Sequence, residues 1–258
     1  MVDSIPPWMA EVNSDGSNRC FPSVKYLYAD LISTGQNQPG DSQLPAAQAG
    51  KLRAFFAGLK AVSKVHLMAS CVSTVSQFAA CLPLKSDDES DAHLGALTIT
   101  LGHDAAHLPA ASHALVAGLR YPYVPFVEVE SLHEVSRACV RSLIDLMLAM
   151  RPVNAEIEVN VSKDDLGSEA GDEGEDGPDW EVMQAALNTF SQECQVQASV
   201  ATVGYRVEVS AGIDNPVWGA NEPALDQYQL HLKLELPRQD EAESEEEEEM
   251  ELEDWWGL

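Results

Sequence analysis

The chain has 258 residues, 45% of them hydrophobic, and a formal net charge of −27 at pH 7. That length supports a sizeable buried core, as one large domain or two small ones. No apolar run approaches the ~20 residues that span a bilayer, and the acidic, proline-bearing start "MVDSIPPWMAEV" lacks the basic and apolar regions of a signal peptide, so the expectation is an intracellular protein, cytoplasmic or nuclear.

The charge is uneven. Eleven acids stand between Asp240 and Asp254 and eight between Asp164 and Asp179, with no Lys or Arg in either stretch. The rest of the chain is only moderately acidic. Both acid-rich stretches should repel themselves, stay solvated and attract basic surfaces. Five cysteines, none spaced C-x-x-C, argue against a disulfide framework or structural zinc and for buried free thiols.

In chain order, residues 1–44 read as an irregular N-terminal segment, rich in Pro, Gly, Ser, Asn and Gln, with "VKYLYADLI" as a short strand or helix inside it. A body of mixed helices and strands follows over 45–238. In "PAAQAGKLRAFFAGLKAV", Leu52, Phe55, Phe56 and Leu59 share one helical face. Residues 62–82 fit either period: helical spacing of Val and Phe, but Val, Ser, Thr and Cys content that favours strand. "LGALTITL" predicts a strand, and "DAAHLPAASHALVAGL" a helix that Pro109 would start or kink. "YPYVPFVEVE" predicts an edge or irregular strand because of its two prolines. Ser131 and Glu134 form an S-x-x-E capping box before the helix "VSRACVRSLIDLMLAM", which Pro152 ends. "AEIEVNV" alternates Ile157, Val159 and Val161 against acidic or polar neighbours. After an acidic loop at 164–179, Asp179 can cap the helix "WEVMQAALNTFSQE"; "CQVQASVATVGYRVEVSA" reads as one or two strands bent at Gly204; and "QYQLHLKLEL" alternates strictly. The expected fold class is α+β: a mixed, largely antiparallel sheet with helices on one side. A disordered acidic C-terminal tail, residues 239–258, completes it. No internal repeat stands out.

No motif identifies a reaction. In "GHDAAH", His103 and His107 have the i, i+4 spacing of zinc ligands, with His113 or His93 as a third. But Asp104 replaces the glutamate of H-E-x-x-H, and Pro109 interrupts the helix; a solvated or capped helix end is the preferred reading. "PAAQAGKL" lacks the first glycine and the hydroxyl of a P-loop, and the order of a calcium loop is absent from 164–179. No catalytic residue, metal or cofactor is assigned. Lys51, Arg53, Lys60 and Lys64, with Phe55 and Phe56 between them, could hold a nucleic-acid strand by phosphate contact and stacking. On an amphipathic helix the phenylalanines would instead face the core.

The tail runs "EAESEEEEEMELEDWWGL". It cannot bury enough apolar surface to fold alone, yet it ends in Trp255, Trp256 and Leu258. Aromatic anchors of this kind are strong binding hot spots. The preferred reading is a docking motif, with Glu245, Glu246, Glu247, Glu248 and Glu249 supplying reach and steering; the alternative is that the tail folds back onto its own domain. Trp255-x-x-Leu258 resembles the W-x-x-L peptides that bind ubiquitin-like autophagy modifiers. Trp256-Gly257 and Trp218-Gly219 resemble the Trp-Gly dipeptides of Argonaute hooks. An acidic tail with a hydrophobic tip is similar to the C-termini of bacterial and phage single-stranded DNA-binding proteins. Ser244 before "EEE" and Ser86 before "DDE" fit an acidophilic serine kinase.

These features together predict a non-enzymatic acidic interaction protein: an adaptor, assembly factor or chaperone. Its partner would be a protein with a basic or groove-bearing surface, with no membrane involved. The alternative is a single-stranded nucleic-acid-binding protein, of cellular or viral origin, whose acidic tail regulates binding and recruits partners.

Overall fold

The computed structural model describes residues 20–21, 23–30, 46–69, 71–82, 94–102, 119–167, 180–201, 204–214 and 227–236. Its elements run β1 (Tyr26–Asp30), α1 (Ala46–Gly58), β2 (Lys64–Ala69), α2 (Val72–Ala79), β3 (Ala96–Leu101), β4 (Phe126–Val135), α3 (Arg137–Met150), β5 (Asn154–Val161), α4 (Lys163–Gly167), α5 (Trp180–Ala201), β6 (Arg206–Asp214) and β7 (Gln227–Glu235). Seven strands form one mixed sheet in the order β1-β2-β3-β4-β5-β7-β6.

The mixture is the reverse of the expectation. β1 to β5 are parallel neighbours, and only the β5–β7 and β6–β7 pairings are antiparallel. Alternation of apolar and polar residues was the ground for expecting antiparallel strands, because parallel sheets are usually covered on both faces. Here the parallel strands follow one another in sequence order, an arrangement in which connections of one hand place their helices on one side, and α1, α2, α3 and α5 all contribute to the core on the same face of the sheet. A parallel sheet covered on one side alternates just as an antiparallel one does. β1 takes the strand option of "VKYLYADLI", inside the N-terminal segment, and pairs with β2 over five positions.

Register explains the core. Leu67, Ile99, Val129, Ile157, Leu232 and Val209 stand side by side across six strands; the first five are fully or almost fully buried. The described helices pack on this face. α1 contributes Leu52, Phe56 and Leu59, and α2 meets it through Phe78, whose ring lies edge-on to Phe56 at 5.1 Å. α3 contributes Leu143, Ile144 and Met147, and α5 contributes Met183, Leu187, Phe190, Cys194 and Ala198.

Three local expectations change. The cap of α3 is Ser136, whose hydroxyl accepts from the Cys139 backbone N–H. Ser131 is still in β4, where its hydroxyl accepts from the Asn160 N–H. Residues 194–201 are the end of α5 and not a strand, because Cys194 and Ala198 continue its buried stripe at helical spacing. The prolines of "YPYVPFVEVE" precede the strand, so β4 sits in the sheet centre rather than at an edge. Residues 62–82, which fit either period, divide into a strand and a helix. α4 occupies Lys163–Gly167, at the start of the stretch read as an acidic loop. α3 ends at Arg151 in the left-handed region, φ 52°, directly before Pro152. Residues 104–118, read as a helix, the Asp179 cap and the tail at 239–258 lie outside the described residues.

Candidate docking face

The same register that lines up the core lines up the opposite face of the sheet. Along one row stand Tyr28, His66, Thr98, Glu128, Glu156 and Lys233. Along the next stand Asp30, Met68, Thr100, Glu130, Glu158 and His231. Each strand contributes to both rows because side chains two apart share a face.

At the β1 end the surface is aromatic. Tyr26 and Tyr28 are 53% and 49% exposed. The Tyr28 ring stands edge-on to His66 at 5.0 Å, and its hydroxyl lies 3.2 Å from the Met68 Sδ. A polar chain then crosses four strands. Thr100 Oγ1 lies 2.7 Å from Glu130 Oε1 and 2.8 Å from His66 Nε2, and His66 Nδ1 lies 3.1 Å from the Tyr26 hydroxyl. Thr100 has one proton and the carboxylate can only accept it. Thr100 must therefore accept from His66 Nε2–H, and in the neutral ring Nδ1 is then the acceptor for the Tyr26 hydroxyl. Every donor has an acceptor. Thr100 is only 2% exposed, so its hydroxyl is a buried joint of the sheet and not an accessible nucleophile.

In the middle the surface is acidic. Glu128 lies beside Glu156, and Glu130 beside Glu158, in lateral register. Neighbouring strands are about 4.8 Å apart and alternate residues about 6.6 Å along a strand, so four carboxylates are carried on a small rectangle. β3, β4 and β5 contain no Lys or Arg. Glu128 and Glu130 accept from the Thr98 and Thr100 hydroxyls, and Glu156 accepts from His231 Nε2 at 2.6 Å. Lys233 stands opposite Glu156 but its Nζ pairs with Glu235, at 3.5 Å. None of the four carboxylates is matched by a lysine or arginine among the described residues. No three of the described His, Cys, Asp and Glu side chains converge to hold a metal ion.

On the helical side, one cluster of charges is matched between α3 and α5. Arg137 and Arg141 on α3 both reach Glu193 on α5, at 2.8 and 2.6 Å. Their guanidinium carbons lie 4.8 and 6.0 Å from the Phe190 ring centre. Partial burial opposes ionisation of Glu193, but the hydrogen bonds and charges of the two arginines outweigh it and hold the carboxyl below its usual range. Burial pushes the Cys139 and Cys194 thiols up to about 12. Cys81 is also buried, whereas Cys20 is exposed and Cys71 half-buried.

The residues singled out from the sequence fall as follows. Lys51 and Arg53 are exposed on α1, Lys60 is exposed in the turn after it, and Lys64 is exposed at the start of β2. Phe56 is buried and Phe55 half-buried, with Phe55 edge-on to Phe21 at 6.5 Å; both rings therefore serve packing. Ser86, Ser244, Glu245 to Glu249, Trp255, Trp256 and Leu258 lie outside the described residues, as do His93, His103, Asp104, His107, His113 and Trp218. The sequence reading missed the two tyrosines and the four glutamates. Their signal was present in "VEVE" and "EIEV", two strands with acids on the same phase, but only pairing in register makes them neighbours.

Against known proteins, no family model and no curated protein matches the chain. Fold and face define the class: a mixed sheet with helices on one side and a polar, glutamate-bearing surface on the other.

Proposed function

We propose that the chain is a non-enzymatic interaction protein, an adaptor, assembly factor or chaperone for a basic protein partner. The observation that supports this reading is the open sheet face, where four glutamates stand together, Glu156 paired with His231, and no lysine or arginine among the described residues is matched to them. Unmatched like charges at a surface disfavour the free state slightly and steer a cationic partner toward it. The tail belongs to the same reading: Trp255, Trp256 and Leu258 as contact residues, and Glu245 to Glu249 as a second source of steering. Phosphorylation of Ser244 would add further negative charge beside that run.

Affinity capture with the full-length chain tests the reading. The proteins recovered should be predominantly basic, and should be lost when both the four face glutamates and Glu245 to Glu249 are replaced by glutamine. Recovery of acidic or neutral proteins, unchanged by those replacements, would refute it.

A further inference from the structure

We infer that the open sheet face is itself a docking surface for a bipartite polypeptide segment: a cluster of Lys or Arg over the four glutamates, and a planar or aromatic group over Tyr26 and Tyr28. The inference rests on the reading of the chain as a basic-partner protein, and adds the surface and the pattern that the partner must carry.

The surface changes character along the rows. At the β1 end, Tyr26 and Tyr28 expose about half of their area beside Met68 and His66. Exposed tyrosines bind planar groups and cationic stems well, because they offer a wide apolar face at small entropic cost. Three strands further on, the face carries Glu128, Glu130, Glu156 and Glu158. Polyanions would meet four carboxylates there, so charge complementarity selects a polycation and disfavours nucleic acid or an anionic lipid surface.

Geometry fixes the spacing. From β1 to β4 is three strand intervals, about 14 Å. An extended partner segment covers that distance in about four residues, and a helix in about nine. The internal hydrogen bonds of the face hold its side chains in place: Tyr26 through His66 and Thr100 to Glu130, and Glu156 through His231. Binding would therefore cost little further ordering of the surface.

Selection from a phage library of random dodecapeptides tests this, using the full-length chain as bait. The expected winners carry two or more Lys or Arg and an aromatic residue about four positions away. In E128Q/E130Q/E156Q/E158Q the basic residues should disappear from the winners. In Y26A/Y28A the aromatic residue should disappear while the basic ones remain. A separate bait with Glu245 to Glu249 changed to Gln should select the same peptides as wild type. If that tail variant loses the basic winners and the face variant keeps them, the sheet-face inference falls while the basic-partner reading stands. If wild type selects no basic peptides, both fall. A fluorescent single-stranded oligonucleotide provides the counter-probe: binding lost in the face variant would mean that the surface takes nucleic acid, and would overturn the inference.

Discussion

Glu193 is the residue at which two helices are tied by charge, since α3 supplies both arginines and α5 the single carboxylate. Its carboxyl is held below the usual range in the folded state, so folding favours the ionised form. The resulting stabilisation is fully present above the unfolded-state value, near pH 4.3, and is lost as pH falls through the lower folded value. Because the pair is partly exposed, the effect is modest, roughly 0.5–1 kcal/mol. Glu193→Gln should lower the melting temperature at pH 7 by a few degrees and leave it nearly unchanged at pH 3; equal losses at both would show that the carboxylate charge is irrelevant. The thiols give a second test at this scale. With Cys139 and Cys194 pushed up to about 12, little thiolate forms at neutral pH, and burial blocks reagent access. In the native protein, alkylation followed by peptide mapping should mark Cys20 first and spare Cys81, Cys139 and Cys194 until denaturant is added. Rapid native labelling of Cys139 or Cys194 would contradict their placement.

At the scale of elements, the sequence was most informative where a period was long and its boundaries were marked. β5 and β7 were legible because Ile157, Val159 and Val161, and Leu230, Leu232 and Leu234, alternate without interruption. α3 was legible from its apolar stripe and from Pro152. Its start was misplaced because Ser131 and Glu134 satisfy the same pattern that Ser136 satisfies in space, and only the strand pairing of 126–135 decides between them. Cys194 to Ala201 was misread because "QVQASVA" alternates over a few residues; burial of every third or fourth residue from Met183 onward overrides that alternation. Strand direction was not legible at all, since a one-sided parallel sheet and an antiparallel one impose the same pattern. The candidate face was hidden for the same reason: its acids are neighbours through β4–β5 pairing and far apart in sequence. Loss of the α3 cap should be measurable. Ser136→Ala should cost about 1 kcal/mol in denaturant melts, and Ser131→Ala should leave helix content unchanged. If only the Ser131 substitution reduces helix content, α3 begins where the sequence pattern placed it.

At the scale of the molecule, one sheet separates two chemically different surfaces. On one side apolar side chains from seven strands meet α1, α2, α3 and α5; removing Phe190 from that layer should cost about 3–5 kcal/mol. On the other side the strands keep like charges in lateral register, an arrangement that destabilises a sheet by a fraction of a kcal/mol per pair. Replacing Glu128, Glu130, Glu156 and Glu158 by glutamine should therefore leave the fold intact and raise its melting temperature slightly, more at low salt than at high salt. On the proposed reading, charge is kept on this face for a partner at a small cost in stability. Binding kinetics with the purified captured partner test that central claim most directly, comparing wild type, the four-glutamine face variant and Trp255→Ala with Trp256→Ala across a salt series. The account predicts an association rate that falls with salt, a face variant that binds roughly tenfold or more weakly with a flattened salt dependence, and a tryptophan variant that dissociates faster. Equal affinity for all three proteins, independent of salt, would contradict it.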